Sequence, residues 1–139
     1  MKKHVANAEW KGSIKEGKGT ISTRSKVLDS TAYSFISRFG DGAGTNPDEL
    51  LAASHAGCFA MALSLILGQA GFTPDYIDAR AEVTMDPDKL ELTGSHLTVK
   101  AKVPGISKEK FMECAEAAKG GCPISKALKF PISLDATLE

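Results

Sequence analysis

The sequence predicts an α+β fold, and three observations carry that expectation. Short alternating segments broken by glycine crowd the first third of the chain, one long and almost wholly apolar helix follows, and the later segments come in the order ββ-αα-β. The full order βββ-α-ββ-αα-β lacks the regular βα alternation of a parallel doubly wound sheet, so α+β is the class that fits.

Taken in order, "AEWKGS", "EGKGTISTRSKV" and "TAYSFISRFG" predict three short strands joined by turns, in the form of a meander. "DGAGTNPDEL" predicts a helix start, with Asn46 as N-cap, Pro47 in the first helical position, and Asp48 and Glu49 at the positive end of the helix dipole. Glu49, three residues after Asn46, also matches a capping box. Gly68 or Gly71 closes this helix, giving roughly 20 to 24 residues and about 30 to 36 Å. "YIDARAEVTMD" and "SHLTVKAKVPG" alternate as strands, with "DPDKLELTG" connecting them. "ISKEKFMECAEAAKGG" predicts an amphipathic helix with Ser107 as N-cap, Gly120 as stop, and Phe111, Cys114, Ala115 and Ala118 on its apolar face. "CPISKAL" predicts a short helix and "FPISLDATLE" a closing strand.

A chain of 139 residues has the size of one domain, so residues 1–139 are expected to form a single one. Its 17 basic and 17 acidic residues leave no net field to attract nucleic acid or an anionic membrane surface, and small or neutral partners fit better. "MKKHVANAEWKGS" lacks the apolar run of a secretory signal, which predicts a cytoplasmic protein. From Leu50 to Leu67 there are 18 residues without a formal charge, near the length of a membrane span. The many Ala and Gly residues, together with Ser54, His55 and Ser64 and the absence of a flanking basic cluster, argue against spanning. A helix apolar around most of its circumference must then be covered by protein, and one thin sheet is too little. A second copy of the chain supplies the missing surface, which predicts an obligate homodimer.

Three cysteines, Cys58, Cys114 and Cys122, do not make a secreted disulfide framework, so catalytic, redox or packing roles come first. Cys58 follows Gly57, where the open backbone lets a small molecule approach the sulfur. Amid Ala, Phe and Leu it is equally a small buried hydrophobe. Cys122 precedes Pro123, which makes it the expected N-cap of the short helix, where the dipole favours a thiolate; the alternative is an ordinary loop cysteine. Cys114 sits at a packing position. His55 and Cys58, three apart on one helical face, could share a metal or a proton, but no C-x-x-C or H-x-x-x-H pair completes a metal site, and no third group completes a Cys-His dyad.

The stretch "TNPDELLAASHAGCFAMALSLILGQAGF", followed by "GGCPISKAL", resembles the OsmC branch of the OsmC/Ohr family of thiol-dependent peroxidases, and the likeness runs from "EWKGSIKEGKGTIST" through "SRFGDGAGTNP" to the closing strand. The resemblance implies an OsmC-like fold in which antiparallel sheets wrap long central helices in an intertwined homodimer. It implies reduction of organic hydroperoxides, and of hydrogen peroxide less well, in oxidative and osmotic stress defence. Cys58 matches the peroxidatic cysteine and Cys122 the resolving one, joined in a disulfide during turnover. A dithiol such as dihydrolipoamide or a lipoyl protein restores both thiols, and no haem, flavin or metal is needed.

An apolar setting opposes ionisation of Cys58, so a cation is required beside it. The family supplies an arginine held by a carboxylate, best matched here by Arg38 in "SRFGDG", with Lys15 and Lys18 as weaker candidates. The family's carboxylate falls on Asp48, where a glutamate is the usual residue, so either Asp48 or its neighbour Glu49 takes the role. Ten residues of helix separate Asp48 from Cys58 by about 15 Å along the axis. The carboxylate is therefore expected to reach Cys58 from the partner subunit, and which subunit supplies Arg38 stays open. Two rival readings are a non-catalytic dimer binding an apolar ligand between its helices and a thiol redox sensor that oxidises without rapid turnover.

Overall fold

The computed structural model describes residues 1–139. Six strands and four helices follow one another as β1 (Ala6–Lys11), β2 (Lys18–Thr23), β3 (Thr31–Tyr33), α1 (Phe35–Phe39), α2 (Pro47–Gln69), β4 (Tyr76–Asp86), β5 (Glu91–Lys102), α3 (Lys108–Gly121), α4 (Pro123–Ala127) and β6 (Ile132–Leu138). The chain divides into two compact units, Met1–Leu50 and Leu51–Glu139, with the division falling inside α2.

In the first unit, β1, β2 and β3 form the expected antiparallel meander. Trp10, Gly19 and Tyr33 are cross-strand neighbours, and the two rings close over the glycine with their centroids 5.4 Å apart. A Cβ at Gly19 would lie 2.3 Å from the Tyr33 ring, so only glycine allows this aromatic pair. The third predicted strand is shorter than expected. It stops at Tyr33, and Phe35–Phe39 turn into α1, because Ser34 caps the helix by accepting from the Ser37 N–H while Ser37 Oγ accepts from the Ser34 N–H. That reciprocal Ser-x-x-Ser cap competes with extension of the strand.

Gly44, at φ 102°, brings the chain from α1 to the start of α2, and a Cβ there would meet the Ala32 carbonyl oxygen at 2.5 Å. The expected helix start is present: Asn46 Oδ1 accepts from the Glu49 N–H at 2.8 Å, with Pro47 as the first helical residue. The second half of the predicted capping box differs, because the Glu49 carboxylate accepts from Thr45 Oγ1 at 2.7 Å.

In the second unit, β4, β5 and β6 form a sheet in that order. β4 matches its predicted bounds, whereas β5 begins at Glu91, inside the segment expected to be a connection. The turn is tighter than the sequence suggests because Leu90 adopts φ 52° and Asp86 Oδ1 accepts from the N–H groups of Asp88 and Lys89. The expectation of antiparallel sheets fails at one pair: β5 and β6 are parallel. Between them lie α3 and α4, a connection long enough to return the chain to the same end of the sheet.

The core of this unit brings Phe59, Leu63 and Leu67 of α2 against Leu97, Val99 and Ala101 of β5 and Phe111, Ala115 and Ala118 of α3, all nearly or wholly buried. The α2 residues recur every four positions, which fixes one face of the helix inward. The face opposite carries Met61 and Leu65, 77% and 62% exposed. By length and composition α2 is also a candidate membrane span, with 22% of its most apolar window buried.

Candidate active site

Cys58 lies on α2, and Cys122 lies at the junction of α3 and α4, where Pro123 opens the shorter helix. Proline has no N–H for the α3 ladder, so the chain must break at Cys122, and the break aims that sulfur at α2. The two sulfurs are 2.7 Å apart, and both thiols are free. A disulfide of about 2.05 Å needs them to close by less than about 1 Å. Cys122 is fully buried, whereas Cys58 is partly exposed. Of the pair, Cys58 is the sulfur a solute can reach.

Cys58 opens onto a groove of about 730 Å³ lined by Ser54, Met61, Ala62, Leu65, Ile66 and Ile124 among others, none of them charged. Burial raises the Cys58 thiol above its ordinary value, and the hydrogen bond with Cys122 raises it further. Burial pushes the Cys122 thiol up as well, but its hydrogen bond with Cys58 and the polar groups of Ser125 and Ile124 at the start of α4 outweigh burial and bring it below its ordinary value. Of the two thiols, Cys122 is therefore the one whose surroundings favour ionisation. No charged side chain lines the groove, so nothing there supplies the cation expected beside Cys58. Cys122 sits at the N-terminus of α4 as expected, but its side chain makes no capping bond.

Arg38 and Asp48 form a bidentate ion pair, Nε to Oδ2 at 3.1 Å and Nη2 to Oδ1 at 3.0 Å. The local structure holds it in place. Ser37 Oγ donates to the Thr45 carbonyl at 2.7 Å, and Asn46 Nδ2 donates to the Ser37 carbonyl at 2.9 Å, which ties α1 to the first turn of α2. Arg38 follows Ser37 directly, so its guanidinium is presented beside an aromatic pocket of about 240 Å³ that includes Trp10, Tyr33, Phe35 and Phe39, with the Phe39 ring 5.5 Å from its central carbon. Of the two candidate carboxylates the structure pairs Asp48 with the arginine and leaves Glu49 on Thr45. Neither Lys15 nor Lys18 forms an ion pair.

His55 is wholly buried. Nδ1 lies 2.7 Å from Ser95 Oγ on β5 and Nε2 lies 2.8 Å from Ser125 Oγ on α4. Both ring nitrogens are thus committed to hydroxyls, and neither is bonded to Cys58. No cluster of three His, Cys, Asp or Glu side chains able to hold a metal occurs. Sequence reasoning missed Ser95 and Ser125. The available signal was His55 itself, because a buried imidazole needs two polar partners; their identity depends on β5 and α4 meeting α2. Cys114 is buried on the core face of α3, as expected.

The family model for OsmC-like protein matches residues 40–137. The chain is 48% identical over 134 residues to "Peroxiredoxin OsmC" of Escherichia coli K12, covering 95% of this chain and 94% of that protein. It is 36% identical over 106 residues to "Organic hydroperoxide resistance protein-like 1" of Staphylococcus epidermidis, covering 71% and 72%. Among solved structures, an OsmC-like protein from Vibrio cholerae aligns with a TM-score of 0.78 at 15% identity, covering 98% of this chain and 99% of that one. The organic hydroperoxide resistance protein OhrB of Bacillus subtilis aligns with a TM-score of 0.64 at 24% identity, covering 97% and 98%. The structural likenesses establish the fold, and the family match and close sequence identity establish kinship: the chain belongs to the OsmC family.

Proposed function

We propose that the protein is a thiol-dependent peroxidase acting in hydroperoxide resistance, with Cys58 as the peroxidatic and Cys122 as the resolving cysteine. The observation that carries this reading is the meeting of the two sulfurs at 2.7 Å at the edge of an apolar groove. Cys58 thiolate attacks the terminal oxygen of R–O–OH, breaking the O–O bond and giving Cys58–S–OH and an alkoxide that leaves as the alcohol. Cys122 then attacks the sulfenic sulfur; the S–S bond forms, the S–O bond breaks, and the thiol proton leaves with the hydroxyl as water. A dithiol returns both cysteines to thiols and becomes oxidised itself. Dihydrolipoamide, free or on a lipoyl protein, has the chemistry for this step. Ala62, Ile66 and Ile124, which line the groove apart from Met61 and Leu65, suit the alkyl portion of an organic hydroperoxide better than they suit hydrogen peroxide.

The working molecule is a homodimer in the cytoplasm, serving oxidative and osmotic stress defence. Met61 and Leu65 leave an apolar face of α2 bare, and a Cβ at Gly57 or Gly68 would meet nothing in the single chain, so a second α2 can approach closely there. Arg38, held by Asp48, is the cation that a second copy brings to Cys58. It favours ionisation of Cys58 over Cys122 and stabilises the attacking thiolate. Glu49 supports the helix start through Thr45 rather than the arginine. Each site is thus composite, and residues 1–139 act as one domain.

The test is consumption of cumene hydroperoxide and hydrogen peroxide by purified protein with dihydrolipoamide as donor, beside Cys58→Ser and Cys122→Ser. Sustained turnover that vanishes in Cys58→Ser supports the reading. A wild-type protein whose thiols all survive peroxide refutes it.

A further inference from the structure

In its reduced form the cysteine pair is also a set of ligands. Two free sulfurs stand 2.7 Å apart, and no third His, Cys, Asp or Glu side chain joins them to make a metal site. His55, one turn of α2 before Cys58, has both ring nitrogens on Ser95 and Ser125. The pair therefore offers two sulfurs and nothing else, a soft donor set. A tetrahedral ion such as zinc wants about four ligands and is not served by it.

Geometry narrows the choice further. With bonds to sulfur of about 2.3 Å, as for zinc, a linear two-coordinate ion holds its sulfurs about 4.6 Å apart, whereas a pyramidal centre with bonds near a right angle holds them about 3.3 Å apart. The second spacing is little wider than the observed 2.7 Å, while the first would drive the fully buried Cys122 back into a close-packed interior. A pyramidal trivalent centre with two exchangeable positions and one carbon substituent fits the pair. The substituent has a place to go, because Ala62, Ile66 and Ile124 line the groove onto which Cys58 opens and none of its walls is charged. Gly121, directly before Cys122, lines it too, and a Cβ there would meet nothing within 4 Å, which leaves room beside the two sulfurs.

We propose that the reduced Cys58 and Cys122 pair is a binding site for monosubstituted trivalent arsenicals, R–As(OH)2, with an apolar R group lodged in the groove. Cys58, the sulfur a solute can reach, attacks arsenic first; an As–S bond replaces an As–O bond, and the thiol proton leaves with the hydroxyl as water. Cys122 repeats the exchange at the same arsenic and releases a second water. Arsenic stays trivalent, neither sulfur changes oxidation state, and no further reactant is needed. The second bond is intramolecular, so it adds affinity through effective concentration. Binding needs both thiols reduced but none of the peroxide chemistry, so it stands apart from the peroxidase reading; on that reading, an occupied pair is closed to peroxide.

The experiment treats reduced wild type, Cys58→Ser, Cys122→Ser and Cys114→Ser with one equivalent of phenylarsine oxide, which hydrates to the dihydroxide, and reads them by intact mass spectrometry and thiol titration. Phenylmercuric ion, which has one open position, is the control. Wild type and Cys114→Ser are expected to carry one phenylarsenic group per subunit with Cys58 and Cys122 blocked, to keep it in excess 2-mercaptoethanol and to release it to 2,3-dimercaptopropanol. In Cys58→Ser and in Cys122→Ser, the concentration of 2-mercaptoethanol that strips the adduct should fall at least about a hundredfold. Phenylmercury on Cys58 should be held equally well in wild type and Cys122→Ser, which separates chelation from damage to the fold. Methylarsine oxide should be stripped from wild type about tenfold more readily than the phenyl compound, since it leaves the groove unfilled. An adduct in Cys122→Ser as resistant as in wild type, or one weakened alike for arsenic and mercury, overturns the chelate, and equal retention of the methyl and phenyl compounds overturns the role of the groove. A wild type that chelates the arsenical yet keeps every thiol intact after peroxide would sink the peroxidase reading and leave this proposal standing.

Discussion

Cys58 and Cys122, 64 residues apart in the chain, hold their sulfurs 2.7 Å from each other at the wall of an uncharged groove. Their unequal surroundings assign unequal tasks. In the proposed reaction the partly exposed Cys58 is the sulfur that meets the peroxide, and the buried Cys122 the one that meets Cys58. Replacing Cys58 by Ser should abolish turnover. Replacing Cys122 by Ser should leave one reaction per subunit, followed by overoxidation of Cys58, because the sulfenic acid then has no thiol to condense with. Steady-state assays beside intact mass spectrometry distinguish the two: an added mass of two or three oxygens on Cys58 is expected in the second variant and not in wild type.

Asp48 fixes both nitrogens of the Arg38 fork. Asp48→Ala frees the guanidinium, and the rate of sulfenic acid formation is expected to fall about ten- to a hundredfold, the range for misplacing a stabilising charge. Arg38→Met should cost at least as much. Glu49→Gln keeps a hydrogen-bonding group for Thr45 and is expected to change the rate by less than about threefold. A pre-steady-state series in which Glu49→Gln is the most damaging of the three would transfer the carboxylate role to Glu49.

The bare face of α2 predicts that association depends on Met61 and Leu65, both largely exposed in the single chain. Leu65→Glu places a charge where the second helix is expected, and sedimentation should report a monomer or unfolded chain with peroxidase activity lost. A composite site makes a sharper prediction. Cys58→Ser should be inactive and Arg38→Met strongly impaired, but chains mixed and refolded together should recover about a quarter of wild-type activity, since half the dimers are mixed and each carries one intact site. No recovery, with mixed dimers demonstrated by mass, would place Arg38 and Cys58 of one site on the same chain.

The buried His55 predicts the pH dependence of stability. Its folded pKa is lowered by burial, so below its ordinary value of 6.5 the unfolded chain binds a proton that the folded chain refuses. Stability contributed by the neutral ring is complete above that value and is lost as pH falls toward the folded pKa, with a slope of at most about 1.4 kcal/mol per pH unit. Urea unfolding at pH 7 and pH 5 should show wild type losing more stability on acidification than His55→Gln does. Equal losses would mean that His55 titrates alike in both states.

Much of the fold is legible because its signals are local. The start of α2 follows from Asn46, Pro47 and the two acids that succeed them, and β4 from strict alternation between Tyr76 and Asp86. What fails depends on competition or distance. "SFISRF" alternates well enough for a strand, but the reciprocal Ser34 and Ser37 cap makes it a helix. The parallel pairing of β5 with β6 is set by where α3 and α4 return the chain, which no residue in either strand announces. In the site, Cys58 and Cys122 are conspicuous by type and setting, and Arg38 by the motif around it. Ser95 and Ser125 are not, since a serine in a strand or a short helix carries no mark until His55 is seen between them.

The central claim is that peroxide oxidises Cys58 and that Cys122 closes the bridge. Treating the reduced protein with one equivalent of cumene hydroperoxide, alkylating the remaining thiols and mapping the peptides tests it directly. A Cys58–Cys122 linkage is expected, with Cys114 still alkylated after unfolding. Three intact thiols, or a bridge through Cys114, would contradict it.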